Sequence, residues 1–95
     1  MTIYILYIEI NLRLRWQCSL KERRRFAQSL RDQVKTQFNA TVKIVYSESN
    51  DTFDLYCVLL GESRSYLENI IEKIHLLIDQ KGELIYLLDS EIDLW

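Results

Sequence analysis

SLKERRRFAQSLRDQVKTQFN, residues 19–39, is the stretch from which the fold is read. Ser19 and, three residues on, Glu22 can satisfy each other's backbone N–H groups at a helix start. At about 100° per residue, Leu20, Phe26, Ala27, Leu30, Val34 and Phe38 share one face roughly 120° wide. This is the apolar stripe of a helix lying on a core. Lys21, Arg24, Arg25, Arg31 and Lys35 fall on or beside the opposite side. Arg23 does not; it points along the stripe, near the angle of Leu30. Asn39 suits a left-handed stop.

On the N-terminal side, Thr2–Arg15 alternates. Tyr4, Leu6, Ile8, Ile10, Leu12 and Leu14 point one way; Ile3, Ile5, Tyr7, Glu9, Asn11, Arg13 and Arg15 point the other. Period two predicts a strand with its even face on the core. On the C-terminal side, Thr41–Ser47 reads as a second strand and Glu48–Thr52 as a polar hairpin loop. Phe53–Leu60 is a nearly continuous apolar run, as in a central strand, and either parity could face the core. A second helix follows, capped by Ser63 or by Ser65 with Glu68, and runs to about Lys81. Its apolar face is Leu67, Ile70, Ile71, Ile74, Leu77 and Ile78. Gly82 is expected just past its end, Glu83–Leu88 as a last strand, and Asp89–Trp95 as an acidic tail. The order β-α-β-β-α-β predicts an α+β, ferredoxin-like sandwich: a four-stranded antiparallel sheet with both helices on one face. Its expected core is Tyr4, Leu6, Ile8, Ile10 and Leu12 against Leu30, Val34, Ile70, Ile71, Ile74 and Ile78.

Ninety-five residues predict one domain, 1–95, large enough for a core without staples. With 48% apolar residues the chain is not of the disordered class. No apolar run reaches the ~18 residues of a membrane span. Met1–Leu14 carries Glu9 and Arg13 and lacks a preceding basic region, so it is not read as a signal peptide. Two cysteines, Cys18 and Cys57, are expected as free thiols in a cytoplasmic protein. The net charge of −2 conceals a split: residues 1–45 carry nine Lys/Arg and three acids, whereas 46–95 carry three Lys/Arg and eleven acids. One basic and one acidic surface follow.

The run SLKERRR…SLRDQVKTQFN, followed by a short strand, a polar hairpin, a strand ending near a helix cap and a helix, resembles the YlxP-like family of small bacterial proteins. The likeness covers most of the chain and is most specific in Ser19–Asn39. It implies the same ferredoxin-like fold and no assigned biochemical activity. The family's genes often lie beside those for a translation initiation GTPase and ribosome-binding factor A, which implies, by association, a role near the ribosome. The chain departs from the family pattern in a longer link before Ser19, in the hairpin SESNDTFD, and in having Tyr4 and Tyr56 where the family tends to have Gly.

Arg23, Arg24 and Arg25 stand in the first turns of a helix, where the dipole disfavours cations by a few tenths to about 1 kcal/mol each. Folding alone does not ask for that. Either they form an anion site at a helix N-terminus, or they pair with Glu48, Asp51 and Asp54, since the hairpin lies at the same end of such a sheet. Arg13 and Arg15 leave the first strand at that end too. Lys21, Arg23, Arg24, Arg25, Arg31, Lys35, Arg13 and Arg15 are therefore the candidate nucleic-acid-binding residues. Ile3, Ile5 and Tyr7, on the face without helices, are candidates for a homodimer interface.

Other chemistry finds little support. His75 reads as a boundary residue, not a metal ligand. Cys57 reads as core, and Cys18 has no evident general base. Two glycines cannot build a phosphate loop. The expectation is a non-enzymatic binding module without cofactor or metal, associated with RNA or a ribosomal subunit through its basic helix. The alternative is a homodimeric protein-interaction module whose arginine cluster pairs with acidic residues.

Overall fold

The structure, a computed structural model, describes residues 1–95 except Gln17 and Glu83. The elements are β1 (Tyr4–Leu14), α1 (Leu20–Phe38), β2 (Thr41–Tyr46), β3 (Thr52–Gly61), α2 (Arg64–Asp79) and β4 (Leu84–Leu94). The sheet order is β2-β3-β1-β4, and every pairing is antiparallel. This is the ferredoxin-like sandwich that the two periodicities predict. Both helices cover one face: Phe26 of α1 meets Phe53 edge-on, and Leu67 of α2 sits over Gly61. Phe53 and Gly61 are same-facing residues of β3.

The even positions of β1 from Leu6 to Leu14 are buried, together with Ala27, Leu30, Val34, Leu67, Ile70, Ile74 and Ile78. Each such Leu or Ile contributes about 1.5–3 kcal/mol by leaving water. Tyr4 and Ile71, expected in the core, are only half-buried at its margin, and Leu20 is exposed. The choice of parity in β3 falls to Phe53, Leu55, Cys57 and Leu59. Pairing Ile8 with Cys57 and Leu6 with Leu59 puts that set on the helix side.

The helix ends follow local chemistry. Ser19 Oγ accepts from the Glu22 N–H while the Ser19 N–H donates to Glu22 Oε1, closing the capping box. Asn39 has φ 53°, the left-handed stop. Of the two serines proposed for α2, Ser63 is the cap and accepts from the Tyr66 N–H. Ser65 therefore lies inside the helix, and the box with Glu68 does not form.

The largest departure from expectation is β4. Its start at Glu83 falls outside the described residues, but its end is clear: Asp89–Leu94 is strand, not tail. β1 is eleven residues long, and its free edge pairs with β4 as far as Tyr4↔Leu94. The Trp95 N–H then donates to the Ile3 carbonyl at 2.8 Å.

Candidate nucleic-acid interface

α1 begins where the β2–β3 hairpin turns, and one residue joins them. Arg23 is 3% exposed. Its two Nη1 protons are shared among three hairpin carbonyls: Ser47 at 2.9 Å, Thr52 at 3.2 Å, and Ser49. Its Cζ also lies 4.9 Å from the centroid of the Tyr46 ring. A buried cation costs several kcal/mol unless its donors are met, and backbone oxygens meet those of Nη1 here. Nε is buried without a partner. Arg23 is thus a brace between helix and hairpin. Its donors face inward, which corrects its inclusion among the residues open to a nucleic acid.

The hairpin carboxylates do not collect the triplet. Asp51 Oδ2 accepts from Arg13 Nε at 3.2 Å, and Asp54 accepts from Asn11 at 2.7 Å. Arg24 stacks instead on Tyr46, its Cζ 5.0 Å from the ring centroid. Lys21, Arg24, Arg25 and Lys35 are exposed, and Arg31, half-buried, pairs with the adjacent Asp32 at 3.0 Å. Arg13 and Arg15 emerge from β1 at the same end and, with Trp16, Cys18 and the hairpin residues Ser49–Asp51, line an open cleft of about 960 Å³. The structure therefore brings Arg13, Arg15, Lys21, Arg24 and Arg25 to one end of the molecule. Arg31 and Lys35 continue along the helix, so Lys21 to Lys35 spans about 21 Å.

The charge split of the sequence becomes a split in space. α1 lies over β2 and β3, and α2 over β3 and β4. The flank of α1 and β2 carries seven cations (Lys21, Arg23, Arg24, Arg25, Arg31, Lys35, Lys43) against Glu22 and Asp32, a net of +5. The flank of α2 and β4 carries Arg64 and Lys73 against Glu68, Glu72, Asp79, Asp89, Glu91 and Asp93, a net of −4.

The remaining candidates lie away from the outer face of α1. Cys18 is buried, and its thiol donates to the Asn50 carbonyl at 3.3 Å. Desolvation, reinforced by Glu22 and Asp51, raises its pKa, so the thiol stays protonated. Cys57 is buried, and both thiols are free. His75 Nδ1 lies 2.9 Å from the Tyr86 hydroxyl, which donates to Asp79 Oδ1, also at 2.9 Å. Ile3 and Ile5 are half-buried and Tyr7 is 41% exposed on the open face of the sheet. Among the described residues no group of three or more His, Cys, Asp or Glu could hold a metal ion, and no helix is long and apolar enough to cross a membrane.

Sequence reasoning missed Tyr46, the ring beside which both Arg23 and Arg24 lie. The signal was its place at the end of β2, next to the hairpin that the arginines face.

Fold and charge layout together define a small ferredoxin-like α+β domain with one basic and one acidic flank. Over residues 5–92 the chain belongs to DUF503, a family of proteins of unknown function. No curated protein matches it. Among solved structures it is similar to the de novo designed protein Foldit4, with 16% identity, a TM-score of 0.60, and coverage of 92% of this chain and 96% of that one. It is also similar to a structural-genomics protein, YJCS, with 17% identity, a TM-score of 0.58 and the same coverage. At these identities the likeness is one of fold.

Proposed function

We propose that the protein is a non-enzymatic module that binds the phosphate backbone of structured RNA through the outer face of α1. The observation that carries this reading is the set of cations left over after folding. Arg23 is consumed by the hairpin, and Arg31 and Arg13 pair with Asp32 and Asp51, yet Lys21, Arg24, Arg25 and Lys35 still line one face without a carboxylate partner among the described residues, with Arg15 at its end. Of the two acids on the helix, Glu22 is engaged in the cap and Asp32 in Arg31. Such a surface contacts phosphates and does not read bases, so binding is sequence-tolerant. The YlxP-like resemblance, with its genomic company of translation factors, makes ribosomal RNA in a bacterial cytoplasm the natural target.

Titration of a structured RNA at increasing salt tests this. With roughly three to five phosphate contacts, log K should fall against log salt with a slope of about −2 to −5. Replacing Arg24 and Arg25 together by Gln should weaken binding to all RNAs alike and make the slope shallower by about one to two. Undetectable binding at low salt, or binding indifferent to the double substitution, overturns the proposal. Co-sedimentation with ribosomal subunits in a low-salt gradient tests the cellular part of the reading.

A further inference from the structure

The helices leave one face of the sheet uncovered, and the pairing registers fix its pattern. From β2 to β4 one row reads Lys43, Tyr56, Glu9, Asp89. The next row toward the hairpin has Val45 and Leu87 at its two ends, and on the other side Val58 and Tyr7 form the centre of a row. Tyr7, Val58 and Leu60 are 41%, 41% and 55% exposed. Lys43 sits at the basic edge of this face; Asp89, Glu91 and Asp93 line the acidic edge.

We propose that this face is the interface of a symmetric homodimer whose two-fold axis runs parallel to the strands, between β1 and β3. The charges select the axis. A two-fold perpendicular to the strands lays β4 on β4 of the second copy, acid against acid, which like-charge repulsion opposes. A two-fold along the strands lays β2 on β4 and keeps every row level with itself. Lys43 then faces Asp89 of the second copy, Val45 faces Leu87, Val58 faces Tyr7 and Leu60 faces Ile5. Each contact occurs twice, as an isologous interface requires. Aligned sheets stack about 10 Å apart and about −30° from parallel, an offset that at the edges lies within a lysine's reach. Four strands about 4.8 Å apart and five rows about 6.8 Å apart give roughly 500 Å² in projection per copy. Two copies thus bury about 1,000 Å² or more, which reaches the range of specific interfaces.

Sedimentation equilibrium over a wide concentration range provides the test, with Lys43→Glu and Asp89→Lys as charge reversals at exposed positions. The wild type should be dimeric. Each variant alone should self-associate at least about tenfold more weakly, because each reversal puts like charges together twice. Mixed one to one, the variants should form a heterodimer tighter than either homodimer, since both of its edge contacts again join a lysine to a carboxylate. Circular dichroism spectra matching the wild type, with a cooperative melt, confirm that both variants fold. A wild type that is monomeric throughout overturns the proposal. So does a mixture no tighter than its components. Strengthened association of Asp89→Lys alone would overturn it in favour of the perpendicular axis.

Discussion

Arg23 shows how a residue can look functional in sequence and be structural in the fold. Its angle on the helix, beside Leu30, was legible as an anomaly; its solution was not, because the three acceptors are backbone carbonyls and have no sequence signature. Arg23→Ala removes the donors of three hydrogen bonds and leaves the inner side of the hairpin unsatisfied. Charged hydrogen bonds are worth about 1.5–3 kcal/mol, and water can reach part of the vacated space. The substitution should therefore lower unfolding free energy by about 2–3 kcal/mol in urea titrations, while Arg25→Gln changes it by no more than about 0.5 kcal/mol. Equal stability of the two variants would show that the brace carries no weight. A second residue-scale outcome concerns alkali. Burial pushes the Cys57 thiol up to about 11 from 9.0, and burial, followed by the hydrogen bond to Asp79, pushes Tyr86 up to about 12 from 10.0. Both groups are neutral when protonated, and the unfolded chain releases these protons first. Between the two values of each group the unfolded state binds fewer protons, so stability falls as pH rises. The urea midpoint should be insensitive to these groups below pH 9, decline from there through pH 11 for Cys57, and continue to decline to pH 12 for Tyr86. In Cys57→Ala the earlier part of the decline should shrink to what Cys18 contributes, since burial also raises that thiol from 9.0. A wild-type midpoint that stays flat from pH 9 to 11 would contradict the assignment.

At the scale of elements, legibility tracked how local the deciding interaction is. The start and stop of α1 were readable because Ser19, Glu22 and Asn39 act within one turn. The strand character of Asp89–Leu94 was not taken from the sequence, although its acids at every second position alternate with Ser90 and Ile92. What makes it a strand is the length of β1, a partner about eighty residues away in the chain. The choice between Phe53 and Asp54 parities likewise needed the register with β1. The junction of β3 and α2 has a tighter requirement. A Cβ on Gly61 would stand 2.8 Å from Leu67 Cδ2 and 2.9 Å from its Cγ. Leu67 is fully buried and has nowhere to turn. Gly61→Ala should cost about 1–3 kcal/mol through overpacking, measured as a lower urea midpoint, and a variant as stable as the wild type would mean that α2 can lift without loss.

For the whole molecule, the two halves of the sequence become the two flanks of the sandwich. The split was legible as a sum of charges, but its geometry was not, since only the strand order β2-β3-β1-β4 sets α1 and β2 opposite β4. The fold itself names no ligand: a designed protein has it too. β4 offers a further consequence, for solubility. It is an eleven-residue strand at the border of the sheet, with a row of backbone donors and acceptors on its outer side, of which the Ile92 carbonyl accepts from Arg64. Such a border is a template for cross-β growth. Asp89, Glu91 and Asp93 recur along it at every second residue, so a second β4 docking edge to edge brings carboxylates against carboxylates. These acids act as gatekeepers against fibrils. Neutralising all three together, by Asp89→Asn, Glu91→Gln and Asp93→Asn, should yield thioflavin-positive fibres on incubation where the wild type stays clear, and a triple variant that also stays clear would show that the border is protected by other means.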